Sequence, residues 1–276
     1  MGDAQSGAGE LALRVASAVV LAPLAIGTAY LGGWPFVAFW SVAALIVFWE
    51  WTSLMGGADR RSVLMAGGAG LALALALAGA HRFRSAIIVL AMGTLGAAAL
   101  SGRGQRGWAA GGVCYAGAIG IAPVLLRSDD AYGFTAVLLL FAIVWTTDIA
   151  AYFAGRAIGG PLLLPRVSPK KTWSGAIAGL AAAVIAAIVL AKIAGLSGLP
   201  AIAMIAVLLS AVSQAGDLFE SALKRKFGAK DSGHLIPGHG GLMDRLDGFV
   251  AAAFVAMLIG LVRGGWEMPA RGLLLW

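Results

Sequence analysis

Charged residues are scarce in this sequence. Asp, Glu, Lys and Arg make up 12% of its 276 residues, whereas 60% of the residues are hydrophobic. This leaves too few polar side chains to cover the surface of a soluble globular protein. The composition therefore predicts that lipid surrounds most of the chain.

Cysteine is almost absent as well, since Cys114 is the single one. An internal disulfide is excluded, and we expect Cys114 to be a small buried packing residue. His234 and His239 share one polar segment but have no third nitrogen or sulfur ligand nearby, which argues against zinc.

Apolar segments of membrane-spanning length fill most of the sequence. A helix needs about 20 apolar residues to cross the hydrocarbon core. Nine candidates lie near residues 11–31, 34–54, 63–80, 85–100, 108–126, 134–153, 173–196, 201–219 and 249–262. The fold predicted is an all-α, polytopic membrane protein of about nine transmembrane helices, and eight is the alternative because the third, fourth and ninth segments are short. We expect residues 1–276 to form a single polytopic membrane domain, in which residues 1–130 hold N-terminal helices and residues 131–276 the catalytic half.

The distribution of positive charge predicts an orientation. If the N-terminus is cytoplasmic, 14 of the 20 Lys and Arg residues fall on the cytoplasmic side of the nine spans. Positive residues are enriched on that side of membrane proteins. The count places the polar loops at residues 156–172 and 224–247 in the cytoplasm, and we expect a multi-pass protein of the bacterial inner (plasma) membrane.

Acidic residues within apolar spans are costly and are candidates for a functional site. The three acidic residues that we take as candidates are Asp148, Asp217 and Glu220. Helical spacing places Asp148, Tyr152 and Gly155 near one stripe. An internally paired acid that fixes helix packing is the alternative interpretation of Asp148.

Small residues at four-residue spacing indicate close helix packing. The sequence has 40 glycines, and the pairs Gly155 with Gly159 and Gly175 with Gly179 match this spacing. Such residues let membrane helices approach closely. We expect both pairs to be packing contacts.

The segment 168–172 reads Ser-Pro-Lys-Lys-Thr and precedes the seventh apolar span. We expect Ser168 to cap a helix and Pro169 to occupy its first position, with free backbone N–H groups beside Lys170 and Lys171 that suit a polyphosphate. An ordinary cap with cytoplasmic lysines is an equal alternative.

Residues 216–247 carry the densest set of polar side chains. Asp217, Glu220, Ser221 and Lys224 follow three- and four-residue steps, which places acids and bases on one helical face. Asp244 and Asp247 lie one turn apart in the next helix. Carboxylates on two helix ends suit Mg²⁺, which prefers a few carboxylates together with substrate phosphates and water.

This stretch resembles the signature of the phosphatidate cytidylyltransferase family. About a dozen positions agree over some 30 residues, and the segments around Asp148 and Ser168 resemble further family motifs. One departure is Ser174, where the family often has Glu. The matching signature positions are Ser221, Lys224, Arg225, Lys230, Asp231, Pro237, His239, Gly240, Gly241, Asp244, Arg245 and Asp247.

The resemblance implies an activity and a set of roles. A phosphate oxygen of phosphatidate attacks the α-phosphorus of CTP, and pyrophosphate leaves. The metal ligands expected for Mg²⁺ are Asp217, Asp244 and Asp247. The catalytic residues expected are Asp148, Lys224, Arg225, Asp231, His239 and Arg245. The substrate-binding residues expected are Tyr152, Ser168, Lys170, Lys171, Thr172 and Lys230.

The expected partners are CTP, phosphatidate and the lipid bilayer, with a homodimer as the candidate assembly and no nucleic acid. Two alternatives remain at this point. A CTP-dependent polyprenol kinase would share the nucleotide chemistry and differ in its acceptor. A transporter would also hold intramembrane acids, but it would be expected to show inverted repeats, and none is found in the sequence.

Overall fold

The computed structural model describes residues 19–233, 235 and 240–276. Within them the chain is almost entirely helical, with one pair of antiparallel strands. The elements are α1 (Val19–Leu31), α2 (Gly33–Met55), α3 (Arg60–Gly79), α4 (Phe83–Leu100), α5 (Arg106–Arg127), α6 (Gly133–Ile158), β1 (Leu162–Leu164), β2 (Ser168–Thr172), α7 (Trp173–Ile193), α8 (Leu199–Lys226), α9 (Met243–Gly264) and α10 (Pro269–Leu274).

Eight of the described helices, α2 to α9, are long and apolar enough to cross a membrane. They correspond to the second to ninth apolar segments of the sequence. The first predicted segment contains α1, and its residues 11–18 lie outside the described residues. The all-α polytopic fold is therefore confirmed.

The described chain divides into two compact units. The first contains the residues up to Gly120 and those described between Phe227 and Leu246; the second contains Ile121–Lys226 and Asp247–Trp276. Helices α5 and α9 contribute residues to both units. The prediction of a single domain with a catalytic half after residue 130 stays a prediction.

In the first unit, α3 packs against α2 and α4. Gly70 and Gly93 face each other across the α3–α4 contact, since a Cβ built on Gly93 would lie 2.9 Å from the Gly70 Cα. Cys114 on α5 is exposed, with its sulfur 3.7 Å from the Thr94 hydroxyl. The prediction that Cys114 is buried is therefore wrong, because apolar side chains of a membrane helix also face outward, towards lipid.

In the second unit, α7 packs against α6 and α8. A Cβ on Gly175 would lie 2.7 Å from the Ala151 carbonyl oxygen, and one on Gly179 would lie 2.8 Å from the Thr147 carbonyl oxygen. These two glycines therefore pack against the α6 backbone, as predicted.

The other predicted glycine pair has two different roles. Gly155 lies at the α6–α7 contact, where a Cβ would be 3.7 Å from the Gly175 Cα. Gly159 instead ends α6 with φ +66° and has nothing within 4 Å of a built Cβ. The packing prediction is wrong for Gly159, because the helix ends there and needs a left-handed residue to turn the chain.

The α6–α7 contact generates a stability prediction. Gly179→Ala would force a methyl group against a backbone oxygen, so we expect the free energy of unfolding in detergent to fall by about 1–3 kcal/mol. Gly68→Ala is the matched control, because Gly68 is in helix α3 and has open space around its Cβ. An equal loss of stability in both variants would show that the close approach is unimportant.

Candidate active site

The lysine segment forms a strand rather than a helix start. Strand β2 pairs with β1, and helix α7 begins only at Trp173. Thr172 is the N-cap, since its hydroxyl accepts a hydrogen bond from the Gly175 N–H at 3.1 Å. The prediction that Ser168 caps the helix is wrong, because Ser168–Thr172 pairs with β1 and the helix starts after Thr172. Pro169 lacks an N–H and is tolerated in such an edge strand.

The extended backbone separates the two lysines. Successive side chains of a strand point to opposite faces. Lys170 is exposed, whereas Lys171 is half-buried and forms an ion pair with Asp217 on α8. The structure therefore brings Lys171, but not Lys170, to one of the predicted metal ligands.

Ser174, at the position where the family often has Glu, links two helices in this chain. The Ser174 hydroxyl donates to the carbonyl oxygen of Gly159, the residue that ends α6, at 2.5 Å. It also lies 2.9 Å from the Thr172 hydroxyl. Ser174 thus ties the end of α6 to the start of α7 without a charge.

Three acidic residues of the second unit form a carboxylate cluster, which we define as Asp148, Asp217 and Asp247. The Asp247 carboxylate interacts electrostatically with Asp217, Asp148 and Lys171. Helices α6, α8 and α9 each supply one acid, and β2 supplies the lysine. Lys171 interacts with two of these acids, Asp217 and Asp247.

A glycine allows two of these helices to meet at the cluster. A Cβ on Gly216, next to Asp217, would lie 2.7 Å from the Asp247 carbonyl oxygen. Any larger residue at position 216 would push α8 away from α9. The local sequence thus fixes the separation of Asp217 and Asp247.

The carboxylate cluster fits a hard divalent cation in its chemistry. Like charges that share a site destabilise one another unless a cation compensates them. Mg²⁺ takes one or two protein carboxylates together with substrate phosphates. Among residues 19–233, 235 and 240–276, no group of three or more His, Cys, Asp or Glu side chains is arranged to hold a metal ion. The Mg²⁺ ligands therefore stay a prediction.

The polar face of α8 is confirmed. Lys224 forms an ion pair with Glu220 at 2.7 Å, and the Ser221 hydroxyl lies 3.5 Å from an Asp217 oxygen. Glu220 is 1% exposed. Lys224 therefore neutralises a buried acid, while the neighbouring Arg225 is exposed. Of these two predicted catalytic cations, Arg225 is the one open to solvent.

On α6, Asp148 and Tyr152 lie near one stripe but have different partners. Asp148 is exposed and faces Asp247 electrostatically. Tyr152 is exposed too, and its hydroxyl accepts a hydrogen bond from Arg156 at 2.7 Å. The structure thus gives Tyr152 a partner other than the carboxylate cluster, and its predicted substrate role stays a prediction.

Asp244 belongs to the first unit and binds the loop that precedes α9. Its Oδ2 atom accepts hydrogen bonds from the Ser232 N–H at 3.0 Å, the Ser232 hydroxyl at 2.9 Å and the Gly241 N–H at 2.8 Å. These bonds give Asp244 a structural task in addition to its predicted role as a metal ligand. Lys230, Asp231 and Arg245 are exposed near it in sequence, and His239 lies outside the described residues.

Sequence reasoning missed Glu50, a fully buried acid on α2 of the same unit. Its carboxylate accepts hydrogen bonds from the Leu242 and Met243 N–H groups and from the Ser232 hydroxyl. The signal that identifies it was available, because Glu50 lies inside the second apolar segment and carries the same membrane cost as Asp148.

The sequence of this chain is similar to known proteins. Residues 12–262 match the model of the cytidylyltransferase family. A protein named phosphatidate cytidylyltransferase from Brucella suis biovar 1 is 43% identical over 263 residues, which cover 94% of this chain and 97% of that protein. A protein of the same name from Brucella abortus biovar 1 is 44% identical over 91% of this chain and 94% of its own length. Another from Bacillus subtilis is 42% identical over 45% of this chain and 47% of its own length.

The match thus extends over almost the whole described chain, including the lysine segment, the carboxylate cluster and the loop around Asp244. The chain belongs to the cytidylyltransferase family.

Proposed function

We propose that this protein is a phosphatidate cytidylyltransferase of phospholipid biosynthesis, which transfers CMP from CTP to phosphatidate and releases pyrophosphate. The observation that carries the proposal is the 43% identity to a relative of that name over 94% of the chain. The carboxylate cluster with its lysine adds a chemical reason, because polyphosphate transfer requires charge neutralisation and alignment more than a protein nucleophile.

The nucleophile needs little help from the protein. A phosphate monoester has a second pKa of about 6, so a phosphatidate oxygen is largely ionised at neutral pH. No general base is required, and the task of the chain is to hold two anionic substrates together. Lys170, Lys171 and Arg225 supply positive charge for the phosphates in this proposal.

The Lys171 ammonium lies beside the Asp217 carboxylate. A phosphate group that approaches this pair gains a charge-assisted hydrogen bond from the ammonium. The ion pair also limits the rotamers of a long side chain, which lowers the entropy that binding must remove. Lys171 is therefore prepared for phosphate, whereas the exposed Lys170 must be ordered on binding.

Asp217 and Asp247, with Asp148 beside them, are the residues that would hold Mg²⁺. A bound Mg²⁺ supplies neutralisation of the charge on the triphosphate and on the leaving pyrophosphate. Asp244 stays a predicted ligand whose Oδ2 already accepts three protein hydrogen bonds.

The proposed location is the bacterial inner (plasma) membrane, with the N-terminus in the cytoplasm. The excess of Lys and Arg on the side of the loops at 156–172 and 224–247 supports this orientation. CTP is a cytoplasmic nucleotide, so the proposed orientation places the phosphate-binding residues where their substrate is. The homodimer stays a prediction.

The activity is tested with purified protein in lipid micelles, CTP, Mg²⁺ and phosphatidate. We expect pyrophosphate release that depends on phosphatidate, with CDP-diacylglycerol as the lipid product. Replacing phosphatidate by a polyprenol distinguishes the kinase alternative, which would release CDP. Absence of pyrophosphate with folded, monodisperse protein would overturn the proposal.

The first prediction of this proposal concerns orientation. Arg166 and Lys226 are exposed and lie on the predicted cytoplasmic side, whereas the exposed Lys192 lies on the opposite side. In a Cys114→Ala background, an impermeant maleimide added to intact spheroplasts should label Lys192→Cys but neither Arg166→Cys nor Lys226→Cys. Permeabilisation should expose the latter two. Labelling of Arg166→Cys without permeabilisation would refute the orientation.

The second prediction concerns the lysine segment. Lys171→Ala should lower kcat/KM for CTP by about tenfold or more, the effect of one charge-assisted hydrogen bond of about 1.5 kcal/mol. Lys170→Ala should have a smaller effect, since Lys170 is exposed and apart from the cluster. Lys192→Ala, at the other end of α7, is the control. Equal activity of Lys171→Ala and the control would remove Lys171 from the site.

The third prediction concerns the metal. Asp217→Asn and Asp247→Asn should remain folded, lose roughly a hundredfold in turnover as for other electrostatic groups, and require more Mg²⁺ for half-maximal rate. Asp244→Asn should lose turnover to a similar degree, and only a raised Mg²⁺ requirement would support its role as a ligand. The exposed Asp130→Asn is the control. Normal Mg²⁺ dependence in Asp217→Asn and Asp247→Asn would contradict the assignment.

A further inference from the structure

Glu50 is an acidic residue within an apolar helix, where burying a charge is unfavourable. It lies in α2, a helix of membrane-spanning length, and its exposed fraction is 0%. Several kcal/mol are lost when such a group leaves water without compensation. The side chain must therefore be held by donors that offset this cost.

The donors come from both ends of one loop of the first unit. The Leu242 N–H donates to Oε1 at 2.8 Å, and the Met243 N–H donates to Oε2 at 2.7 Å. The Ser232 hydroxyl donates to Oε2 at 3.2 Å. Glu50 thus joins residue 232, before the loop, to residues 242 and 243, after it.

The Glu50 carboxylate also lies at the start of helix α9. Helix α9 begins at Met243, and the first N–H groups of a helix have no partner within it. The helix dipole places partial positive charge at the same end. A carboxylate from a distant helix is therefore a favourable acceptor there.

Asp244 provides a second acceptor for the same loop. Its Oδ2 accepts hydrogen bonds from Ser232 and from the Gly241 N–H. Ser232 accordingly donates to both carboxylates, with its hydroxyl shared between them. Glu50, Asp244 and Ser232 therefore form one hydrogen-bonded group.

Glycine is required for Glu50 to reach the loop. A Cβ on Gly241 would lie 2.7 Å from Glu50 Oε1, and one on Gly233 would lie 3.0 Å from the same atom. Side chains at either position would compete with the carboxylate for space. Two glycines at the two ends of the loop therefore leave room for the buried acid.

We propose that Glu50 is a positioning residue for cytidylyl transfer, which acts by holding Ser232, Leu242 and Met243 in place. The inference rests on the proposed function. The residues that Glu50 binds are adjacent in sequence to predicted site residues. Lys230 and Asp231 directly precede Ser232, and Asp244 and Arg245 directly follow Met243. Each of these four residues is predicted to bind phosphate, bind metal or take part in catalysis.

An acid is needed at this position because every partner is a donor. Glu offers two acceptor oxygens, whereas Gln replaces one oxygen by an NH₂ group that only donates. Glu50→Gln would therefore point a donor at a backbone N–H or at Ser232. The variant keeps the volume of the side chain, so it tests hydrogen bonding rather than packing.

The experiment compares Glu50→Gln with Thr52→Val, both purified in the full-length chain. Thr52 is a matched control, because it is buried in the same helix and its hydroxyl donates within α2 to the Trp49 carbonyl oxygen. We expect Glu50→Gln to lower kcat/KM for CTP by roughly tenfold to a hundredfold, as loss of supporting hydrogen bonds does around other sites. Thr52→Val should stay within about twofold of wild type, a change of under 0.5 kcal/mol.

A second readout separates positioning from stability. Activity is measured per folded molecule, well below the unfolding temperature, and tryptic cleavage after Lys230 is followed by mass spectrometry. A loosened loop should be cut faster after Lys230 in Glu50→Gln than in the control, while cleavage elsewhere is unchanged. Glu50→Asp, which retains both oxygens on a shorter stem, should recover part of the activity.

The outcomes are distinguishable. Wild-type protein without phosphatidate-dependent pyrophosphate release would defeat the proposed function itself. With active wild type, normal kcat/KM and normal cleavage in Glu50→Gln would overturn the positioning role. A lower unfolding temperature with normal activity per folded molecule would overturn it as well, since Glu50 would then serve stability alone.

Discussion

The fold depends on one constraint: an ionised side chain within an apolar helix must find a fixed partner. Glu220 forms an ion pair with Lys224 one turn along α8, and Glu50 accepts hydrogen bonds from three donors that are distant in sequence. Asp217 forms an ion pair with Lys171. In each case the cost of burying charge is offset by a partner that also fixes geometry. The polar residues are therefore both structural supports and candidate site residues.

Glycine makes these contacts possible by letting backbone and carboxylate approach closely. Gly216 brings α8 to Asp247, Gly241 leaves space for Glu50, and Gly175 allows α7 to lie on α6 just after the end of the lysine segment. Small residues at such positions are common where membrane helices pack. In this chain they also occur beside the charged groups, so helix packing and site geometry are set by the same residues.

Much of the fold and part of the site were predictable because their causes are local. Helical segments follow from runs of apolar residues, and the pairing of Glu220 with Lys224 follows from four-residue spacing. The strand at residues 168–172 was not predicted, because its pairing with Leu162–Leu164 outweighs a local pattern typical of a helix start. Contacts of Glu50 were beyond local reasoning too, since its partners are 182 to 193 residues away.

The aspartates of the signature differ in what surrounds them, although the sequence presents them as alike. Asp244 Oδ2 accepts three hydrogen bonds from neutral donors, so much of its charge already stabilises a loop. Asp247 instead interacts electrostatically with two acids, Asp217 and Asp148, and with Lys171. A carboxylate near other carboxylates gains more from a cation, because the cation relieves their repulsion. On this argument Asp247 and Asp217 are better candidates than Asp244 for the proposed Mg²⁺ site.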